Sequence, residues 1–281
     1  MKKVLMFPGQ GSQITGMGKE LFDRYPEIVQ ICNDVLDYSI VELCLEENDR
    51  LNLTQYTQVA LYVVGVMEYL EYVSQSGAED IYAVIGHSLG EYVALYASNV
   101  FDFEAGLRLV KKRGQLMSEV SEGGMSAVIN SSEESIRHLI RQEPYLDLDL
   151  ANINSPQQVI LSGPKSVLKT VRSDVKALGA RIIPLNVSAA FHSRYMMPLS
   201  EEFFNYLESV SFSRPSKNVY SNVSALKHGS DVDAIKQLLK EQLYKPVQWL
   251  NTIMQINNEG DFEFIELGPK TVLTDLVKKI I

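Results

Sequence analysis

Short runs of consecutive apolar residues alternate along this chain with longer segments in which apolar residues recur at helical spacing, and that rhythm predicts an α/β protein. Residues 4–7 are apolar without interruption and stop at Pro8-Gly9-Gln10-Gly11, the pattern of a buried strand running into a tight glycine loop. Helical spacing follows over 26–36 and 54–74. The second segment carries Val59, Ala60, Val63, Val64, Met67 and Leu70 on nearly all of its sides, so it is expected in the interior. Residues 82–85 form another apolar strand, followed at once by Gly86-His87-Ser88-Leu89-Gly90 and a helix to about residue 98. Asp102 is placed to cap a helix that reaches past Met117.

Beyond Glu122-Gly123-Gly124 the elements become shorter and change order. Strands are expected at 125–129, 146–151, 159–162 and 181–185, with helices at 133–142 and 166–178. The order βαββαβ is that of the split βαβ, ferredoxin-like arrangement. After residue 188, helices at 195–210, 232–243, 248–257 and 270–279 alternate with strands at 219–221 and 262–266. The simplest architecture is an α/β core made of 1–122 and 188–281, with a small α+β subdomain, 123–187, inserted into it. No internal repeat or low-complexity linker interrupts the pattern.

Composition narrows the class. The 281 residues are 46% hydrophobic and 22% charged, which excludes a disordered, collagen-like or small disulfide-rich chain. That length lies at the upper edge of what one core supports, consistent with a large domain carrying an insert. A formal charge of -9 disfavours a nucleic-acid surface, which needs clustered Lys and Arg to displace counterions. The two cysteines, Cys32 and Cys44, have no metal-ligand spacing and fit a reducing compartment. The apolar run after Met1-Lys2-Lys3 is too short for a signal peptide or a membrane span, so a cytoplasmic location without membrane attachment is expected.

The segment Gly86-His87-Ser88-Leu89-Gly90, between a strand and a helix, reads as a nucleophile elbow. Its glycines let the chain turn sharply and lift the Ser88 hydroxyl above the sheet, while the Leu89 N–H and the positive helix end face the same point. A serine nucleophile needs a base, and four histidines are available. His87 is adjacent on the elbow, where neighbouring side chains diverge; His138 lies on a charged helix face, and His228 in the turn Lys227-His228-Gly229-Ser230. His192, in Ala189-Ala190-Phe191-His192-Ser193, stands among small and apolar residues and is the best candidate base. What orients its imidazole is open: an acid between 88 and 192, or a backbone carbonyl, would each fix the Nδ1–H tautomer.

Arg113 falls on the apolar face of the helix begun by Asp102, with Gly106, Leu109, Val110, Leu116 and Met117. A guanidinium keeps its proton there and must meet an anion. Two readings stand side by side: an internal salt bridge to one of the protein's own carboxylates, or a bidentate clamp for a substrate carboxylate. The glycines near the N-terminus do not make a nucleotide loop. Ile14 stands where a dinucleotide fingerprint needs Gly, and Gly18-Lys19 is followed by Glu20 in place of Ser or Thr.

Five motifs in order, Pro8-Gly9-Gln10-Gly11-Ser12-Gln13, Gly86-His87-Ser88-Leu89-Gly90-Glu91-Tyr92, Arg113-Gly114, Phe191-His192-Ser193 and Pro246-Val247-Gln248-Trp249, resemble the malonyl-CoA:acyl carrier protein transacylase family over nearly the whole chain. The resemblance implies an α/β-hydrolase-like core with an inserted ferredoxin-like subdomain. It implies Ser88 as the acylated nucleophile and His192 as its base. The main-chain carbonyl of Gln248 would orient the imidazole, Gln10 and Leu89 would supply the oxyanion-hole N–H groups, and Arg113 would hold the malonyl carboxylate.

The expected reaction is malonyl transfer from malonyl-CoA to the phosphopantetheine thiol of a holo acyl carrier protein, an S-malonyltransferase activity with no bound cofactor and no metal. Phe191 before the catalytic histidine is similar to malonyl-selecting polyketide acyltransferases, in which the ring crowds an α-methyl group; the bacterial fatty-acid enzymes usually carry Ser there. The chain starts at the first strand and stops after the last helix, so a discrete, trans-acting polyketide acyltransferase is expected. A fatty-acid synthesis transacylase and an acyl-carrier-protein thioester hydrolase are the alternatives; the hydrolases of this group typically lack the arginine. An acidic carrier would need a local basic patch, for which Lys111, Lys112, Lys217, Lys227, Lys278 and Lys279 are candidates.

Overall fold

The computed structural model of the chain describes residues 1–120 and 122–281. Its strands are β1 (Lys2–Phe7), β2 (Ile81–Gly86), β3 (Gly124–Ile129), β4 (Asp149–Ser155), β5 (Gln158–Gly163), β6 (Arg181–Pro184), β7 (Asn218–Val219) and β8 (Phe262–Glu266). They form two separate sheets, in the orders β7-β2-β1-β8 and β4-β5-β3-β6.

The first sheet is parallel throughout, and its strands are the uninterrupted apolar runs because helices cover both of its faces. Side chains alternate across it. Leu5 and Phe7 enter the large core beside the helix Thr54–Ser76, while Val4 and Met6 pack on the other face against Trp249, Ile253 and Ile256 of the helix Trp249–Asn257. The helix Thr54–Ser76 is buried continuously from Thr57 to Met67, as its all-round apolar pattern predicts, and lies against the helix Phe103–Glu119.

The second sheet is antiparallel, and its order places the second, third, first and fourth strands of the βαββαβ unit side by side. Alternation again sorts the faces. Val128, Leu150, Val159 and Leu161 pack under the helices Glu133–Ile140, Lys165–Thr170 and Arg172–Ala177, whereas Met125, Ala127 and Ile160 point toward the large core. Val247 joins the two sheets: its N–H donates to Ala151 O at 2.9 Å, and its carbonyl accepts from Ile153 N at 2.9 Å. This bridge holds the inner face of the antiparallel sheet over the carboxyl ends of the parallel strands.

Some elements differ from expectation. The segment 166–178 is two short helices meeting at Val171, β4 begins at Asp149 in place of residue 146, and Arg194–Met196 is a 3₁₀ turn preceding the helix Met197–Glu208. The helices Lys19–Arg24 and Ile40–Leu45 were not expected, each being too short to establish a period. Among the described residues, no helix is long and apolar enough to cross a membrane.

The elbow after β2 is where backbones come closest. A Cβ at Gly90 would lie 1.9 Å from Phe7 O, and one at Gly86 would lie 1.9 Å from the Gly90 carbonyl carbon. Gly90→Ala is therefore expected to destabilise the protein by roughly 3 kcal/mol or more, through overpacking against backbone that cannot yield. Gly229→Ala, with open space around it, should stay within about 0.5 kcal/mol. Urea unfolding midpoints of the two variants measure the difference.

Candidate active site

Ser88 sits on the turn between β2 and the helix Gly90–Ala97 with φ 53°, in the left-handed region that a non-glycine residue rarely adopts. Side chains from distant segments hold this conformation. The Ser88 N–H donates to Asn222 Oδ1 at 2.6 Å, Asn222 Nδ2 donates to Gly86 O at 2.7 Å, and Gln242 Nε2 donates to Ser88 O at 3.0 Å. The Gln10 and Leu89 N–H groups have no acceptor among the described residues. They belong to the two glycine loops that meet where Gly9 passes the elbow, a contact so tight that a Cβ on Gly9 would lie 2.5 Å from His87 O.

His192, also at positive φ (54°), brings Nε2 to 2.8 Å from Ser88 Oγ. Its Nδ1–H donates to the main-chain carbonyl of Gln242 at 2.7 Å, so Nε2 is the free acceptor for the serine proton. Gln242 is the last residue of the helix Val232–Gln242, where carbonyls lack a helical partner and the helix dipole presents its negative end. The expectation for Gln248 is corrected here. The Gln248 carbonyl is turned into its own helix, accepting from Thr252 N and Thr252 Oγ1 at 2.9 Å each, and the imidazole N–H goes to Gln242 instead. No acidic residue takes that role either. Burial, with the Arg113 charge added, pushes the His192 imidazole down to about 3, so it is neutral and able to accept a proton near neutrality.

Arg113 is 1% exposed. Its Nη2 donates to Ser88 Oγ at 3.1 Å and to Gln242 Oε1 at 3.0 Å, and its Nη1 to Gln58 Oε1. All three acceptors are uncharged. Among the described residues Arg113 takes part in no ion pair, its Nε has no acceptor, and its guanidinium lies 5.4 Å from the centre of the Tyr92 ring. Burial lowers its affinity for the proton, yet a guanidinium remains charged in this setting. The internal salt bridge is thus set aside. Gln58 continues the network by donating to Thr54 Oγ1 at 3.1 Å, and Thr54 Oγ1 donates to Gln10 Oε1 at 2.9 Å, tying the guanidinium to the N-terminal glycine loop.

Several of these groups line a cavity of about 280 Å³. One wall is Gln10, Gln58, Ser88, Leu89, Arg113 and His192; the opposite wall is the inner face of the antiparallel sheet, with Met125, Asn152, Asn154 and Ile160. Phe191, 4% exposed, also lines it. His87 borders the cavity with its Nε2 3.0 Å from Asn154 Oδ1, and burial lowers its pKa. His138 is exposed on its helix as expected.

Several site residues were not legible beforehand. Gln58 carried a signal, being a polar residue opening the apolar run of an interior helix. Glu91 stands within the elbow motif but was given no role there, and Asn222, Gln242 and His228 carried no signal that separates them from ordinary loop and helix polarity. The turn histidine His228 is in fact buried against Glu91. The proposed basic patch is largely engaged: Lys111, Lys112, Lys227 and Lys278 pair with Asp37, Glu202, Glu259 and Asp275, and Lys217 Nζ donates to Ala97 O.

A serine elbow over a parallel sheet, facing a neutral histidine and a buried cation, defines an acyl-transferring serine enzyme. The acyl transferase domain family matches residues 4–281, and the chain belongs to it. The polyketide biosynthesis malonyl CoA-acyl carrier protein transacylase PksC of Bacillus subtilis (strain 168) is 44% identical over 278 residues, which cover 98% of this chain and 96% of the relative. A malonyl CoA-acyl carrier protein transacylase from Burkholderia pseudomallei has a crystal structure that superposes with a TM-score of 0.95 at 39% identity, covering 100% of this chain and 98% of that one. A malonyl-transacylase in complex with its type II PKS acyl-carrier protein superposes with a TM-score of 0.94 at 34% identity, covering 100% and 93%. The neighbouring folds agree with an α/β core joined to a ferredoxin-like unit.

The depressed His192 value sets a pH profile. Labelling of Ser88 by a neutral, serine-directed phosphonate probe should stay level as the pH falls through 6.5, because the base is neutral until the pH nears about 3. Arg113→Ala removes one of the lowering causes, so its loss of labelling should begin at higher pH. A bend at 6.5 in the unaltered protein would contradict the burial argument.

Proposed function

We propose that this chain is a malonyl-CoA:acyl carrier protein S-malonyltransferase of the polyketide type, acting through a malonyl-serine intermediate. The observation that carries the substrate class is Arg113: a buried cation without a carboxylate partner among the described residues, 3.1 Å from the nucleophilic oxygen. In a malonyl thioester the free carboxylate carbon is only roughly 2.5 Å from the carbonyl carbon under attack, two C–C bonds away. A guanidinium beside Ser88 therefore suits a short diacid, and an acetyl group offers it nothing to bind.

His192 Nε2 takes the Ser88 proton as Oγ attacks the thioester carbonyl carbon. The N–H groups of Gln10 and Leu89 receive the developing oxyanion, and the Gln242 carbonyl steadies the imidazolium through Nδ1–H. Collapse of the tetrahedral intermediate breaks the C–S bond, and the sulfur leaves as CoA thiol with the proton from His192. The phosphopantetheine thiol of the holo carrier protein then gives its proton to His192 and attacks the ester carbonyl, and Ser88 Oγ recovers the proton as it leaves. No step calls on a metal or resident cofactor. The 123–187 unit serves as a subdomain closing the cleft over Ser88, Phe191 crowds an α-methyl branch, and the enzyme works in the cytoplasm beside its carrier protein.

Incubation with malonyl-CoA should add one malonyl group by intact mass, and Ser88→Ala should abolish it; an adduct persisting in that variant would remove Ser88 from the reaction. Transfer of the label to holo carrier protein in preference to water separates a transferase from a thioester hydrolase. Loss of two charge-assisted bonds in Arg113→Ala should lower kcat/KM for malonyl-CoA relative to acetyl-CoA by about 100-fold, on the order of 3 kcal/mol. An unchanged ratio would sink the clamp.

A further inference from the structure

The side chain of Gln242 stands between two groups of opposite hydrogen-bonding character. Its Oε1 accepts from Arg113 Nη2 at 3.0 Å, and its Nε2 donates to Glu91 Oε2 at 2.6 Å and to Ser88 O at 3.0 Å. A guanidinium only donates and a carboxylate only accepts, so the amide has one orientation that satisfies both. Glu91 is 1% exposed and itself held by His228 Nε2 at 2.7 Å and by Asn222 N at 3.2 Å. The His228 side chain is fully buried, and its Nδ1 has no partner among the described residues, so its proton belongs on Nε2 facing the carboxylate. Neither Glu91 nor His228 lines the cavity.

We propose that Glu91, seated by His228, is a positioning residue for malonyl selectivity, acting through the Gln242 amide to fix the Arg113 guanidinium beside Ser88. The inference rests on the clamp reading of Arg113. Glutamine at position 91 keeps the shape of the side chain but can present an NH2 group to Gln242. The amide of Gln242 is then free to turn its own NH2 toward the guanidinium, two donors facing each other, and Arg113 loses its seat. The bond from His192 to Gln242 is to the main-chain carbonyl and survives this change. The turned amide also gives up its donation to Ser88 O, which lowers malonyl and acetyl acylation alike. Loss of the clamp is added for malonyl alone, so the ratio of the two reports it, while a general loosening of the fold would lower both substrates in proportion.

The test compares kcat/KM for malonyl-CoA and acetyl-CoA in the full-length protein, its Glu91→Gln variant and, in parallel, Arg113→Ala. In Glu91→Gln the malonyl-to-acetyl ratio of kcat/KM should fall roughly tenfold or more, whatever the loss common to both substrates. A ratio that stays the same or rises overturns the proposal. Should Glu91→Gln not fold, His228→Leu and His228→Gln decide: a ratio lowered in the leucine variant and restored by the glutamine, which can again donate to Glu91, supports it, and equal ratios in the two overturn it. If Arg113→Ala itself leaves the ratio unchanged, the clamp reading has failed; if only Arg113→Ala lowers it, the clamp stands and Glu91 has no positioning role.

Discussion

The turn at Ser88 is the constraint around which the molecule is arranged. A serine held at φ 53° is intrinsically unfavourable, by roughly 1–3 kcal/mol, and persists only where the surroundings over-determine it. Here the surroundings come from four parts of the chain. Gly90 packs against β1, Gly9 against the elbow carbonyl, Asn222 grips the turn from both sides, and Gln242 holds the Ser88 carbonyl. Gln10, Leu89, the His192 imidazole and the Arg113 guanidinium all gather at that one turn. Arg113 reaches it from the helix Phe103–Glu119, which packs on the helix Thr54–Ser76, and Gln242 from the end of the helix Val232–Gln242, so the geometry at Ser88 is a property of the whole core.

A second consequence concerns charge. The site collects a buried guanidinium, a neutral imidazole and several amides, and places the nearest carboxylate, Glu91, behind Gln242. A direct ion pair would cancel the cation and leave it little attraction for a substrate anion. The amide oxygens of Gln242 and Gln58 each accept one N–H of the guanidinium and leave its charge largely uncompensated at the cavity. The same positive field helps keep His192 deprotonated. The helix end at Gln242 answers with a carbonyl for the imidazole, which is why no third acidic residue is needed.

The antiparallel unit contributes the opposite wall. Its two faces are chemically different because alternate residues of β3 and β5 point oppositely: one set packs under its own helices, the other meets the cavity. The Val247 bridge is what converts two sheets into one cleft. Pro246-Val247-Gln248-Trp249 thus has a structural meaning different from the one its resemblance suggested. Val247 joins the sheets, Trp249 fills the lower core, and Gln248 opens the following helix, while the imidazole-orienting carbonyl comes from six residues earlier in the chain.

How much of this the sequence carried depends on the range of the interaction. Strands at residues 4–7, 82–85 and 262–266, the interior helix from Thr54, the Asp102 cap and the elbow are local patterns: an apolar run, a period, a side chain three residues from the N–H it caps, a pair of glycines. Ser88 followed from such a pattern, His192 from elimination among four histidines, and the oddity of Arg113 from its position on an apolar face. The short helices near the N-terminus were illegible because one turn and a half cannot display a period. What the tertiary structure alone decided is which distant polar groups meet. The acceptor for His192, the amides that seat Arg113, and the burial of the turn histidine against Glu91 are pairings across 50 residues or more, fixed by sheet order and helix packing. A hydrogen bond between distant residues leaves no periodic trace in either segment, so sequence spacing has no means of announcing it.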